Sequence, residues 1–233
     1  MPINRQDGLF FIGEQQGGRR KMKRYENQKM ANIMALNYSD EYTQRRNTLQ
    51  KIAERFDNEG IQYAFSCSFA LFCDGIVDNF HDFDVLVAPN SFDKLVEVLD
   101  EIGFKKNYDK DPSREGHFCS MNFAEYTVDG IDIDVICEFG FNLFGSKFIY
   151  HFNSAETHRT TFGKLSVPIV EPEAQMVFYD MMTPWQPQRA FKRDLIKEYL
   201  LATGIRHSEI LERTFAMKNI PYQIRANIAS LIR

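Results

Sequence analysis

The chain has 233 residues, 44% of them hydrophobic and 26% charged, and a net charge of −4 at pH 7. That composition is ordinary for a globular protein and excludes a wholly disordered chain, while the length suffices to bury a core without a metal or disulfide staple. The acidic balance lacks the basic excess that tracks a long phosphate backbone, so nucleic acid is not the default partner.

Cys67, Cys73, Cys119 and Cys137 form no Cys-x-x-Cys pair and no zinc-finger spacing with histidine, and they read as buried reduced thiols. No apolar run approaches the roughly 18 residues that span a bilayer. The segment Met1 to Gly18 also lacks the basic start and small-residue cleavage site of a signal peptide. A cytoplasmic protein without a membrane partner is expected.

The first 38 residues show little periodicity, contain Gly17 and Gly18, and carry a basic cluster at Arg19, Arg20, Lys21, Lys23 and Arg24. They are expected to form a partly flexible N-terminal arm. From Ser39, a candidate N-cap, Leu49, Ile52, Ala53 and Phe56 fall on one helical face, and Gly60 ends the helix. IQYAFSCS reads as a short strand running into an apolar helical turn, FALFCDG. HDFDVLVA alternates charged and apolar residues and then becomes apolar throughout, as a strand does on entering a core.

Ser91 opens a helix with an apolar stripe through Leu95, Val96, Leu99 and Ile102. KKNYDKDPSREGH is loop-like, and the next two runs read as strands joined at Asp129-Gly130, a hairpin dipeptide. GKLSVPIV is a further strand, and EPEAQMVFYDMM a helix with Pro172 in its first turn. A Pro- and Trp-containing linker from Thr183 to Pro187 leads into a helical tail. The expected architecture is α+β: a mixed α/β sheet covered by helices over 39–183, with a C-terminal helical domain over 184–233.

Residues two apart in a strand share a face, so Asp82 and Asp84 project together, and so do Asp132 and Asp134 in GIDIDVI. Neighbouring carboxylates repel unless they are solvated or share a cation, and hard oxygen ligands suit magnesium. Carboxylates converging from two strands would support a pair of metal ions acting on a phosphoryl group. Upstream, Ser66-Cys67-Ser68 at a helix start offers backbone N–H groups and hydroxyls suited to phosphate. A hairpin with one solvated acidic face and an ordinary serine cap are the rival readings of the same residues.

Taken in order, Cys67-Ser68-Phe69-Ala70-Leu71, Gly75, His81-Asp82-Phe83-Asp84-Val85-Leu86-Val87 and Gly130-Ile131-Asp132-Ile133-Asp134 resemble the polymerase-β-like nucleotidyltransferases, in particular the small lincosamide and aminoglycoside branch. The similarity extends over residues 49–204 through VPIVEPEAQMVFYDMM and RAFKRDLIKEYLLATG. It departs from the family pattern at Cys67, where a glycine is usual, and at Asp78, where an arginine is frequent.

The resemblance implies a nucleotidyltransferase core that moves a nucleoside monophosphate from a nucleoside triphosphate to a hydroxylated acceptor, such as an antibiotic or other small molecule. Asp82, Asp84 and Asp134 would be the catalytic and metal-binding carboxylates, holding two magnesium ions, with Asp132 the alternative third ligand. Ser66, Ser68, Arg189 and Lys192 would contact the nucleotide. The competing readings are a catalytically impaired nucleotide- or partner-binding module on the same fold, and a toxin–antitoxin component.

Overall fold

The computed structural model describes the backbone of residues 7–106 and 116–232, with side chains described from residue 19 onward. In chain order the elements are α1 (Asp7–Tyr38), α2 (Thr43–Asn58), β1 (Tyr63–Ser66), α3 (Cys67–Cys73), β2 (Phe83–Val87), α4 (Phe92–Ile102), β3 (Phe104–Lys105), β4 (Asn122–Val128) and β5 (Ile131–Cys137). There follow β6 (Phe139–Leu143), β7 (Ser146–Tyr150), β8 (Thr157–Phe162), β9 (Leu165–Val170), α5 (Pro172–Met182), α6 (Ala190–Thr203), α7 (Ser208–Phe215) and α8 (Tyr222–Ala229). A seven-stranded sheet runs β3-β4-β5-β2-β1-β9-β8, and β6 with β7 makes a separate two-stranded ribbon. The β2–β5 and β1–β9 pairs are parallel and the other pairs in the large sheet are antiparallel, so the sheet is mixed as expected.

One face of the central strands is apolar. Tyr63, Phe65, Phe83, Val85, Ile133 and Val135 are buried there, and Leu49, Ile52, Ala53 and Phe56 of α2 fall on one helical stripe that is also buried. Phe56 meets Tyr63 edge-to-face with ring centroids 5.0 Å apart, and Phe65, Phe69, Phe80 and Phe83 form a contiguous aromatic cluster beneath β2. The opposite face carries the polar row described below and is covered by α5, every residue of which is buried.

Asp129 and Gly130 both adopt positive φ (50° and 79°), the conformation of the tight turn that joins twisted antiparallel strands, so the β4–β5 hairpin sits where its Asp-Gly signal places it. The aromatic-rich tract FGFNLFGSKFIYHF is a second hairpin. It turns at Phe144-Gly145 (φ 49° and 83°) and buries Phe139, Phe141, Leu143, Phe148 and Tyr150 on alternate positions. Strand β8 also went unread, because THRTTF carries too few apolar residues to show a pattern. Of the loop-like stretch KKNYDKDPSREGH, residues 107–115 lie outside the described residues.

Most of the stretch expected as an N-terminal arm forms α1, a helix of 32 residues that is packed from Tyr25 onward. Its contacts are tertiary, which is why no amphipathic stripe reveals them. Asn32, 3% exposed, donates from Nδ2 to the carbonyls of Phe72 and Val77 at 2.7 and 2.8 Å, bonding to the last turn of α3 and to the loop that follows it. Gly75 in that loop has φ +73° and lies so close to α1 that a Cβ there would meet Lys29 N at 2.5 Å and Tyr25 O at 2.6 Å. Replacing Asn32 with alanine would take its side-chain donor from the buried Val77 carbonyl and leave the Phe72 carbonyl with the Gly75 N–H alone, and is expected to cost about 1–3 kcal/mol, read as a lowered urea midpoint at constant slope.

The tail helices bury Ile196, Leu200, Ile210, Leu211, Ile224 and Ile228 in the same continuous core as the sheet. Among the described residues no helix is long and apolar enough to cross a membrane.

Candidate active site

Residues directly opposite in a β ladder share a face. Ser66 pairs with Asp84 across β1–β2, Asp84 with Asp134 across β2–β5, and Asp134 with Glu125 across β5–β4. These three registers put Ser66, Asp84, Asp134 and Glu125 in one row on the face opposite the aromatic cluster. Asp82 lies one residue before β2, where its Oδ1 accepts a hydrogen bond from Ser68 Oγ at 3.2 Å.

Above the row lies a cleft of about 180 Å³. Cys67, Asp84, Glu125, Asp134 and Arg189 line its polar side, and Phe118, Phe123, Phe139 and Met182 its apolar side. The charge density is high enough to show in the acidities. Burial, then the Asp82 and Asp134 charges, push the Asp84 carboxyl well above the ordinary carboxylate range, against the pull of Arg189 and Lys192. Asp134 is raised to about 7, chiefly by burial and next by Glu125 and Asp82.

The turn from β1 into α3 is braced from α5. Gln175 Oε1 accepts from the Cys67 backbone N–H at 3.1 Å while its Nε2 donates to Ser66 Oγ at 3.1 Å. Cys67 sits at φ 47°, a left-handed conformation that glycine adopts without strain, and desolvation and the Asp84 charge push the pKa of its buried thiol well above the usual thiol value.

On α5, Gln175, Tyr179 and Met182 follow one another at helical spacing toward the site. The Tyr179 hydroxyl is buried and finds no hydrogen-bond partner among the described residues, and Lys192 Nζ stands 5.9 Å from the centroid of its ring. Sequence reasoning missed Glu125, Gln175 and Tyr179. The first is legible only once the β4–β5 register is known, and the other two look like ordinary positions of a buried helix.

The structure therefore brings Asp84, Asp134 and Arg189 to one cleft, with Asp82 and Ser68 hydrogen-bonded at its edge and Lys192 within electrostatic reach of Asp84. Ser66 is fully buried within the row, and its hydroxyl accepts a hydrogen bond from Gln175 Nε2. Asp132 points to the solvent-exposed end of β5, where Lys106 Nζ at 2.7 Å and Thr127 Oγ1 at 3.0 Å hold its carboxyl below its usual pKa. His81 is exposed and engages Arg45 only through its backbone carbonyl. Among the described residues no three His, Cys, Asp or Glu side chains are grouped, as they stand, so as to hold a metal ion.

Several solved structures align with this chain. A Thermotoga maritima protein assigned as a nucleotidyltransferase aligns with a TM-score of 0.52 at 18% identity, over 64% of this chain and 91% of that one. The antibiotic-resistance factor ANT(2″)-Ia, solved with adenylyl-2″-tobramycin, aligns at 0.49 and 10% identity over 82% of this chain and all of the other. Lincomycin-bound LnuA, a lincosamide antibiotic adenylyltransferase, aligns at 0.43 and 14% identity over 66% and 96% of the two chains. No curated protein matches the sequence. The sequence pattern of the aminoglycoside-2″-adenylyltransferases matches residues 48–195, which is most of the chain and contains every carboxylate of the row, and the chain belongs to that family.

Proposed function

We propose that the protein transfers a nucleoside monophosphate from a nucleoside triphosphate to a hydroxyl of a small-molecule acceptor and releases pyrophosphate. The carrying observation is the register that sets Asp84 against Asp134 on adjacent parallel strands inside a cleft that Arg189 also lines. The acceptor oxygen attacks the α-phosphorus, the bond to the pyrophosphate oxygen breaks, and the hydroxyl proton passes to Asp134. Arg189 and Lys192 offset charge on the triphosphate and on the leaving group. Ser68 keeps Asp82 oriented at the edge of the cleft.

The donor set fits a hard divalent cation. Asp82, Asp84 and Asp134 offer only carboxylate oxygens, and the mutual repulsion that raises Asp84 is relieved by positive charge. These three residues would hold magnesium, which neutralises phosphate charge and activates the attacking oxygen when bound. Because magnesium keeps waters and takes phosphate oxygens as ligands, a few protein carboxylates are enough.

The cleft places aromatic side chains opposite the acidic row, which suits an acceptor that has both an apolar surface and hydroxyl or amine groups. One observation favours a second reading, a nucleotide-binding module without turnover. The Cys67 N–H at the helix start is committed to Gln175, and its side chain stands where the family has glycine.

The test is pyrophosphate release with each nucleoside triphosphate, magnesium, and a panel of aminoglycosides and lincosamides. Release that depends on the acceptor is expected. Triphosphate binding with no release across the panel would favour the binding module.

A further inference from the structure

A second cavity, of about 320 Å³, lies between α1, the loop over residues 75–79 and the first turn of α6. Its size falls at the lower end of the range of small-molecule sites, roughly 300–1,000 Å³. Lys192 lines it, and its Nζ stands 5.9 Å from the ring of Tyr179, one turn along α5 from the Gln175 that braces the β1–α3 turn, so the cavity lies close to that turn and to the strand ends beside it. The two cavities differ in character. The cleft beside Asp134 gathers carboxylates, whereas this one carries two cations, Arg24 and Lys192, against one acid, Asp78. It also has an aromatic platform: Phe191 contributes to the wall and leaves 59% of its surface exposed.

A flat ring, flanking cations and a polar loop edge at Asn79 are what a nucleoside attached to a polyphosphate needs, because every base has a π face and the phosphates demand positive charge. The wall is also rigid. The hydrogen bonds of Asn32 and the backbone approach at Gly75 fasten α1 to the loop, so Arg24 is carried on a fixed element and not on a loose terminus.

We propose that the nucleoside half of the triphosphate lodges in this cavity against Phe191, with Arg24 of α1 and Lys192 of α6 flanking its phosphates. The N-terminal helix, which lies wholly outside the family-matched residues 48–195, is then part of the substrate site. The inference rests on the transferase reading in one respect: it takes the polyphosphate to lie at Asp82 and Asp84. It assigns the cleft beside Asp134 to the acceptor.

Calorimetric titration of the full chain with magnesium nucleoside triphosphates and with magnesium tripolyphosphate tests it, comparing the parent with Phe191→Ala and Arg24→Ala. Both side chains are exposed, so both variants should keep the parent melting temperature. Phe191→Ala is expected to weaken triphosphate binding about tenfold, the effect of losing one base–aromatic stack, and to leave tripolyphosphate binding within about twofold. Arg24→Ala is expected to weaken both ligands roughly threefold to tenfold. Parent binding that neither variant alters overturns this site and leaves the transferase reading standing. Equal weakening of nucleotide and tripolyphosphate by Phe191→Ala overturns the nucleoside assignment. A parent protein that binds no nucleoside triphosphate overturns the transferase reading and this one with it.

Discussion

Asp84→Asn is expected to reduce acceptor-dependent pyrophosphate release by roughly 10³-fold while making the folded protein more stable. The two effects have one cause. Asp84 stands in register between Ser66 and Asp134, with Asp82 two residues upstream, and its carboxyl is driven well above the normal range by burial and by those neighbouring acids. Without a cation and substrate the folded chain holds repelling charges that the unfolded chain does not. Asparagine keeps the shape and removes the charge, so the apo protein should melt a few degrees higher, at about 2–4 °C per kcal/mol for a chain of this size. Transfer should collapse because several kcal/mol of metal and phosphate stabilisation pass through that carboxylate. Steady-state rates and melting curves of the same preparation test both halves. A variant that keeps full turnover would remove Asp84 from the chemistry, and a lower melting temperature would show that its charge is compensated within the fold.

His158→Ala should be the more damaging change for stability, at about 3–5 kcal/mol, or a fall in melting temperature on the order of 10 °C. His158 lies on β8 between two buried acids: Nε2 is 3.1 Å from Asp74 at the end of α3, and Nδ1 is 3.1 Å from Glu171 at the start of α5. Lys29 of α1 approaches Asp74 at 3.4 Å, and His207 approaches Glu171 at 3.6 Å, so one cluster ties α1, α3, the sheet and the tail together. Burial alone would lower the imidazole pKa, but hydrogen bonds and charges from Asp74 and Glu171 outweigh it and raise the value to about 9.

The sign of the pH effect follows. A histidine raised in the folded state contributes stability that is complete below its unfolded value, near 6.5, and disappears as pH climbs through about 9. The difference in stability between parent and His158→Ala should therefore be largest below pH 6.5 and shrink toward pH 10. A difference that stays constant across that window would mean that the imidazole is neutral in the fold.

Local patterns made much of this protein legible from its residues. HDFDVLV and GIDIDVI show their period-two alternation directly, and Asp129-Gly130 supplies the backbone conformation its hairpin needs. The α2 stripe at Leu49, Ile52, Ala53 and Phe56 and the Pro172 helix start were equally local signals. The β6–β7 hairpin was concealed because apolar residues occupy exposed positions as well as buried ones, Phe144 at the turn and Ile149 in β7, which blurs the alternation. Four of the five histidines, His117, His151, His158 and His207, share no ligand spacing in sequence, yet folding brings His158 and His207 to the same carboxylate oxygen of Glu171.

The sequence by itself determined the types of the strongly patterned elements, the order of the motifs and the candidate carboxylates, because backbone propensity and side-chain periodicity are properties of neighbouring residues. Strand order and register were decided only in three dimensions. They set Asp84 against Asp134, added Glu125 to the row, turned Asp132 toward Lys106, and occupied Ser66 with Gln175. They also converted an apparent N-terminal arm into a packed helix. Each of these depends on contacts between segments far apart in the chain, where burying apolar surface and satisfying buried polar groups outweigh what any local stretch prefers.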